Sequence, residues 1–189
     1  MRWLANTVLF LVMLSGCAYK DRVLQVEPYK IDFVSFHKKV TKVYIKEIKD
    51  ERENRQIVAI ITNDKGDNLG YETSATDFVQ WYKDALKKAL EANGFQIVGS
   101  EKDADETIEL SIKNILSTYN KSNLTKANLF GDIELSLTIK KGNQTIVKRI
   151  AEQLKSYTPL IADEEDFKKQ IETLLNDSVR MIVEGVCAQ

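Results

Sequence analysis

The sharpest pattern in the chain is an unbroken alternation over residues 127–139. Ala127, Leu129, Gly131, Ile133, Leu135, Leu137 and Ile139 take the odd positions, and Asn128, Phe130, Asp132, Glu134, Ser136 and Thr138 the even ones. Side chains of a strand point alternately to opposite faces, so this segment predicts a strand with one buried and one wet face. Ile108, Leu110 and Ile112 alternate with Glu109, Ser111 and Lys113 in the same way. Lys141, Gly142 and Asn143 read as a hairpin into a third strand over residues 144–157, which Thr158 and Pro159 end. Shorter strands are expected at 42–48, 56–62 and 95–98. The charge cluster at 49–55 reads as a solvated turn. Residues 63–73, with Gly66 and Gly70, read as a loop whose Asp64, Asp67 and Asn68 lack the spacing and trailing Glu of a calcium site.

Two stretches switch to helical period. Over 76–93, Phe78, Tyr82, Ala85, Leu86 and Ala89 share one face, with Lys83, Asp84, Lys87 and Glu91 opposite. Thr76 or Ser74 can cap its start and Gly94 suits its end. Trp81 sits on the flank of the apolar stripe, where it closes the seam between helix and sheet. Over 164–184, Phe167, Ile171, Leu174, Leu175, Ser178 and Ile182 share a face. Asp163, Glu164, Glu165 and Asp166 crowd the first turn, where the helix dipole favours negative charge, and Gly185 is expected to stop the helix. Two amphipathic helices and a half-apolar sheet predict an α+β fold: a two-layer sandwich, mostly antiparallel, with both helices on one face.

The first sixteen residues do not belong to that pattern. Arg2 precedes a mostly apolar run from Trp3 to Leu14, too short to span about 30 Å of hydrocarbon but of the length of a secretory signal. The run closes on Leu14, Ser15, Gly16 and Cys17, which resembles the bacterial lipobox. Small residues admit a peptidase, and only a thiol can become the thioether that carries diacylglycerol. The expected organisation is a lipoprotein signal peptide over 1–16, a lipidated Cys17 with a tether over 17–39, and one periplasmic domain over 40–189. Diacylglycerol and an N-acyl chain on Cys17 are the only attached groups expected, and they make membrane attachment durable. Ala18, in place of Asp, implies sorting to the outer membrane. As a flexible coil, residues 18–39 would span on the order of 25 Å, and about 70 Å drawn out. Tyr29, Phe33 and Phe36 near the end of that segment are expected to pack onto the domain, with an edge strand at 31–36 as an option.

Composition narrows the function. With 43% hydrophobic and 29% charged residues the chain can bury a core. Its 27 basic against 28 acidic residues argue against a nucleic-acid partner. The single histidine, His37, leaves no zinc site built on two imidazoles, and a His-dependent triad only if His37 is its base. No phosphate loop, no Cys-x-x-Cys and no Gly-x-Ser-x-Gly elbow occurs. The expectation is therefore a non-catalytic protein without metal. If Cys17 is acylated, Cys187 has no disulfide partner within the chain, and it reads as a small residue in a frayed tail. The wet strand face, Asn128, Phe130, Asp132 and Glu134, is the candidate docking surface for an envelope protein partner.

Cys17 and Ala18, the charged Asp50, Glu51 and Arg52, the run from Ala92 through Asn93, Gly94, Phe95, Gln96 and Ile97 to Val98, the alternating strands and the C-terminal amphipathic helix together resemble the YajG family of small bacterial lipoproteins. That resemblance implies an outer-membrane-anchored, periplasm-facing α+β domain and no known activity. A second lipoprotein family, LptE, which plugs the lipopolysaccharide-insertion barrel, is the alternative. Its phosphate ligand favours a basic patch, whereas the wet strand face offers Asp132 and Glu134. An accessory of a surface organelle or transport assembly is the third.

Overall fold

The computed structural model describes residues 23–34, 40–123, 125–159 and 161–188. The signal run, Leu14, Ser15, Gly16, Cys17, Ala18, Phe36 and His37 lie outside them. Among the described residues, eight strands form one mixed sheet: β1 (Val23–Leu24), β2 (Lys42–Asp50), β3 (Ile57–Thr62), β4 (Asn68–Ser74), β5 (Gln96–Ile97), β6 (Glu106–Asn120), β7 (Leu129–Lys141) and β8 (Gln144–Ser156). Two helices, α1 (Phe78–Ala92) and α2 (Glu164–Cys187), cover one face. The fold is the expected two-layer α+β sandwich, its long pairings antiparallel.

β6 organises the sheet. One of its edges is taken along nearly its whole length by antiparallel β7, which in turn pairs with β8. Its other edge is shared, β2 pairing parallel with the first half and β3 parallel with the second. A bulge at Lys113 marks the handover. It adds one residue and so reverses the phase of the strand. Ile108, Leu110 and Ile112 face the core before it, and Ile115, Ser117 and Tyr119 after it.

β7 keeps its period throughout. Leu129, Ile133, Leu135, Leu137 and Ile139 are buried beneath α2, and the even residues face away from the helices. Gly142, at φ +56°, makes the two-residue hairpin to β8. The apolar face of α1 buries Phe78, Tyr82, Ala85, Leu86, Ala89 and Leu90. The two helices meet where the Tyr82 hydroxyl lies 2.8 Å from Ser178 Oγ.

Several expectations change. Residues 68–74 form β4 rather than a loop, paired with β3 on one side and with β1 on the other. The reason is that its apolar residues Leu69 and Tyr71 face solvent while Glu72 turns inward, so no apolar alternation marks it. α1 is capped by Asp77, whose carboxylate accepts from Gln80 N, not by Thr76 or Ser74. Those two instead receive and fix the N-terminal segment and the preceding turn. Gly94, at φ +86°, does end α1. Gly185 does not end α2. It is buried inside it, 3.5 Å from Leu137 Cδ2 by an ideal Cβ, and its carbonyl accepts from Lys148 Nζ at 3.0 Å. Cys187 is therefore the last helical residue, packed against the core instead of frayed, and burial pushes its thiol pKa up.

Residues 23–29, expected as part of a tether, join the domain. Leu24, Val26 and Tyr29 are buried, β1 pairs with β4, Trp81 Nε1 donates to the Glu27 carbonyl at 2.8 Å, and Lys168 pairs with Glu27 at 3.0 Å. No regular strand forms over 31–34, although Phe33 does pack on the core.

The charged turn after β2 is not fully solvated either. Arg52 folds inward with only 7% exposure, binds Asp50 through Nε at 2.9 Å and Nη2 at 2.7 Å, and stacks 4.7 Å over the Phe78 ring.

Candidate functional site

The open face of the sheet divides into two halves. Towards the hairpin end it is a ladder of charge. Glu109 receives Lys140 Nζ at 2.7 Å and Lys46 Nζ at 3.2 Å, and Glu51 pairs with Lys113. Glu134 accepts two hydrogen bonds from Arg149, each at 2.8 Å. Hydrogen bonds from Lys140 and Arg149 hold the Glu109 and Glu134 carboxyls, respectively, below the ordinary range, outweighing the opposing effect of burial. Asp132 accepts from Asn114 Nδ2 and, at 3.3 Å, from Gln153 Nε2. Two of the candidate docking carboxylates are thus already engaged within the face.

At the other end the same face turns apolar. Tyr71, Ile60, Thr118, Phe130 and Lys155 lie opposite one another on β4, β3, β6, β7 and β8, forming one row across five strands. Leu116 flanks it opposite Asp132, and Tyr71 and the neighbouring Leu69 are more than half exposed. Sequence reasoning found Phe130 but missed Tyr71 and Ile60, because β4 carried no strand signal and β3 read as uniformly apolar.

Asn128 does not belong to this surface. It is fully buried, its Nδ2 donating to the Thr158 carbonyl at 2.8 Å while its Oδ1 accepts from Thr158 N at 2.9 Å. Parity places it on the wet face only if the regular strand extends that far. β7 begins at Leu129, and Asn128 instead clamps the chain leaving β8. Phe130, Asp132 and Glu134 do share the open face, each half-buried.

A second concavity of about 580 Å³ lies between α1 and the N-terminal segment. Tyr29, Pro28 and Trp81 supply its apolar wall, and Asp77, Asp84, Lys87 and Lys88 its rim. Trp81 stands edge-on to both Tyr29, at 6.3 Å, and Tyr82, at 5.1 Å. Expected at the seam between helix and sheet, it is instead tied to the N-terminal segment through Tyr29 and the Glu27 carbonyl.

No helix among the described residues is long and apolar enough to cross a membrane. A family model described as "uncharacterized lipoprotein" matches residues 41–185. No curated protein matches the chain in sequence. Among solved structures, the chain is similar to protein XCC0632 from Xanthomonas campestris, of the DUF330 family, with a TM-score of 0.59 at 12% identity, over 86% of this chain and 90% of that one. It is more distantly similar to a minor lipoprotein from Acinetobacter baumannii, with a TM-score of 0.41 at 12% identity, over 76% of this chain and 93% of that one. At such identity the first likeness speaks for the fold alone.

Proposed function

The chain belongs to a family of uncharacterized lipoproteins, and from that membership we propose that it is an acylated envelope protein whose domain docks a partner and performs no catalysis. Leu14, Ser15 and Gly16 are the peptidase motif, Cys17 the new terminus and acylated residue, and Ala18 the residue that sends the protein to the outer membrane, facing the periplasm. Within the family, the YajG-like architecture is the closer kinship proposed for it.

The observation that carries this reading is the position of Cys17 relative to the fold. The family match starts at residue 41 and the described core at Leu24, so the residues that build the described domain all follow the proposed cleavage point before Cys17. Six residue steps from Cys17 to Val23 reach at most about 20 Å. The domain is then held against the headgroup layer rather than standing clear of it.

The non-catalytic part of the reading is supported by the state of the open-face carboxylates. Glu109 and Glu134 are kept ionised by Lys and Arg partners, whereas a general acid needs a desolvated carboxyl with a raised pKa. The row Tyr71, Ile60, Thr118, Phe130 is the surface proposed for the partner, with exposed Tyr71 as its anchor, since a few residues, tyrosine prominent among them, carry most interface energy.

Membrane fractionation of the Cys17→Ser variant tests the anchor. Loss from the outer-membrane fraction, or accumulation as a longer precursor, is expected, and unchanged fractionation contradicts it. Photo-crosslinking from Phe130 and Asp132 in cells tests the surface. Adducts from Phe130 support docking there, adducts to a large β-barrel identify the lipopolysaccharide-type partner, and no adducts contradict the docking surface.

A further inference from the structure

Among the described residues, β8 is hydrogen-bonded on one side only. All thirteen of its residues pair with β7 without a register shift, and no described strand lies on its other edge. The alternate N–H and C=O groups of that edge are left for another chain. β2 and β4, whose outer edges are also partly open, are interrupted by bulges in their own pairings, and β1 and β5 are two residues long. β8 is the long regular edge among the described strands, with no proline in it.

We propose that β8 pairs antiparallel with β8 of a second copy of this chain, about a two-fold axis at Ile150, so that two sheets continue as one. An axis perpendicular to the sheet keeps α2 of both copies on the same side and sets each residue opposite one of equal parity. Centred on Ile150, the register sets Lys148 opposite the partner's Glu152 and Ile146 opposite the partner's Leu154, and each pair occurs twice. Arg149 then faces the partner's small Ala151, and Val147, 66% exposed, gains the partner's Gln153 as neighbour.

Neighbouring registers are worse. An axis at Lys148, Arg149 or Glu152 sets that charge against itself. An axis at Ala151 sets Ile150 opposite the partner's Glu152 and Lys148 opposite the partner's Leu154. Like charges directly opposite are destabilising and opposite charges stabilising. Among axes from Lys148 to Glu152, only the one at Ile150 sets opposite charges against each other and no like ones.

Glu152 supplies an independent sign. Its Oε2 is buried and has no hydrogen-bond partner, while burial and the nearby Asp177 push its carboxyl pKa up, opposed by Arg180. Lys148 spends one of its three ammonium protons on the Gly185 carbonyl, which leaves two to donate. In the dimer the partner's Lys148 meets the carboxylate that the single chain leaves incomplete.

The test uses the full chain in its own membrane. In a Cys187→Ser background, Arg149→Cys with Ala151→Cys places thiols opposite one another across the axis, within disulfide reach. Mild oxidation should give a dimer in which mass spectrometry joins the peptide of position 149 to that of 151. Absence of that crosslink, or a crosslink formed only from cysteines at another register, overturns the proposal. Crosslinking of these positions to a different protein overturns the choice of a second copy. Charge reversal provides the second arm. Lys148→Glu alone and Glu152→Lys alone should each lower the crosslink yield about tenfold, and the double variant should restore it. With circular dichroism unchanged, failure of the double variant to recover contradicts the pairing.

Discussion

Gly131 on β7 lies so close beneath Gln170 on α2 that a Cβ at Gly131 would come within 2.8 Å of Gln170 Cδ. Leu174 Cδ1 stands at the same distance. Gln170 is itself buried and occupied, bonded to Ser117 Oγ and donating from Nε2 to the Leu129 carbonyl at 3.4 Å, so it has little room to yield. The absent side chain is what lets α2 cross the sheet at this height. Gly131→Ala should destabilise the domain by about 1–3 kcal/mol through overpacking, read as a lowered midpoint in chemical unfolding. An unchanged midpoint would mean that the helix shifts freely here.

The Asp50–Arg52 pair makes stability depend on acid. Burial alone would raise the Asp50 carboxyl, but the hydrogen bonds and charge of Arg52 outweigh it and hold the group below its ordinary value. A carboxyl depressed in the folded state contributes stability above its unfolded pKa, and that contribution disappears as pH falls through the folded value. Part of the stability should therefore be lost below about pH 4. Asp50→Asn leaves a guanidinium that is 4% exposed without its counter-ion, at a cost of about 3 kcal/mol near neutral pH. The variant should lose less on acidification, so the two unfolding free energies converge. Parallel pH profiles would contradict the assignment.

Trp81 ties the N-terminal segment to α1. Trp81→Phe keeps a smaller aromatic ring and removes the hydrogen bond to the Glu27 carbonyl, worth about 1 kcal/mol. Hydrogen exchange of residues 23–34 should speed up several-fold while β7 amides keep their protection. Equal protection in both proteins would mean that the indole N–H contributes nothing to holding the segment.

How far the fold could be read depended on whether local period survived. Leu129 to Ile139 never breaks alternation, and that strand was read with the correct face. β6 breaks it at Lys113, where an extra residue exchanges the faces, so Ile115, Ser117 and Tyr119 gave no continuing signal. β4 hid because its inward residue is Glu72 and its outward ones are Leu69 and Tyr71. Its strand character comes from neighbours distant in sequence, and with it went Tyr71, one end of the apolar row on the open face. Arg52 looked like any surface charge, since nothing local reveals that Asp50 and Phe78 enclose it. Asn128 was misplaced by extending parity one residue past the start of β7.

The acyl group on Cys17 is the claim on which compartment, orientation and the short reach to the membrane all rest. Intact and peptide-level mass spectrometry of the protein purified from membranes tests it directly. The account predicts a mature terminus at Cys17 carrying diacylglycerol and an amide-linked acyl chain. A terminus elsewhere, or a Cys17 without added acyl mass, would contradict it.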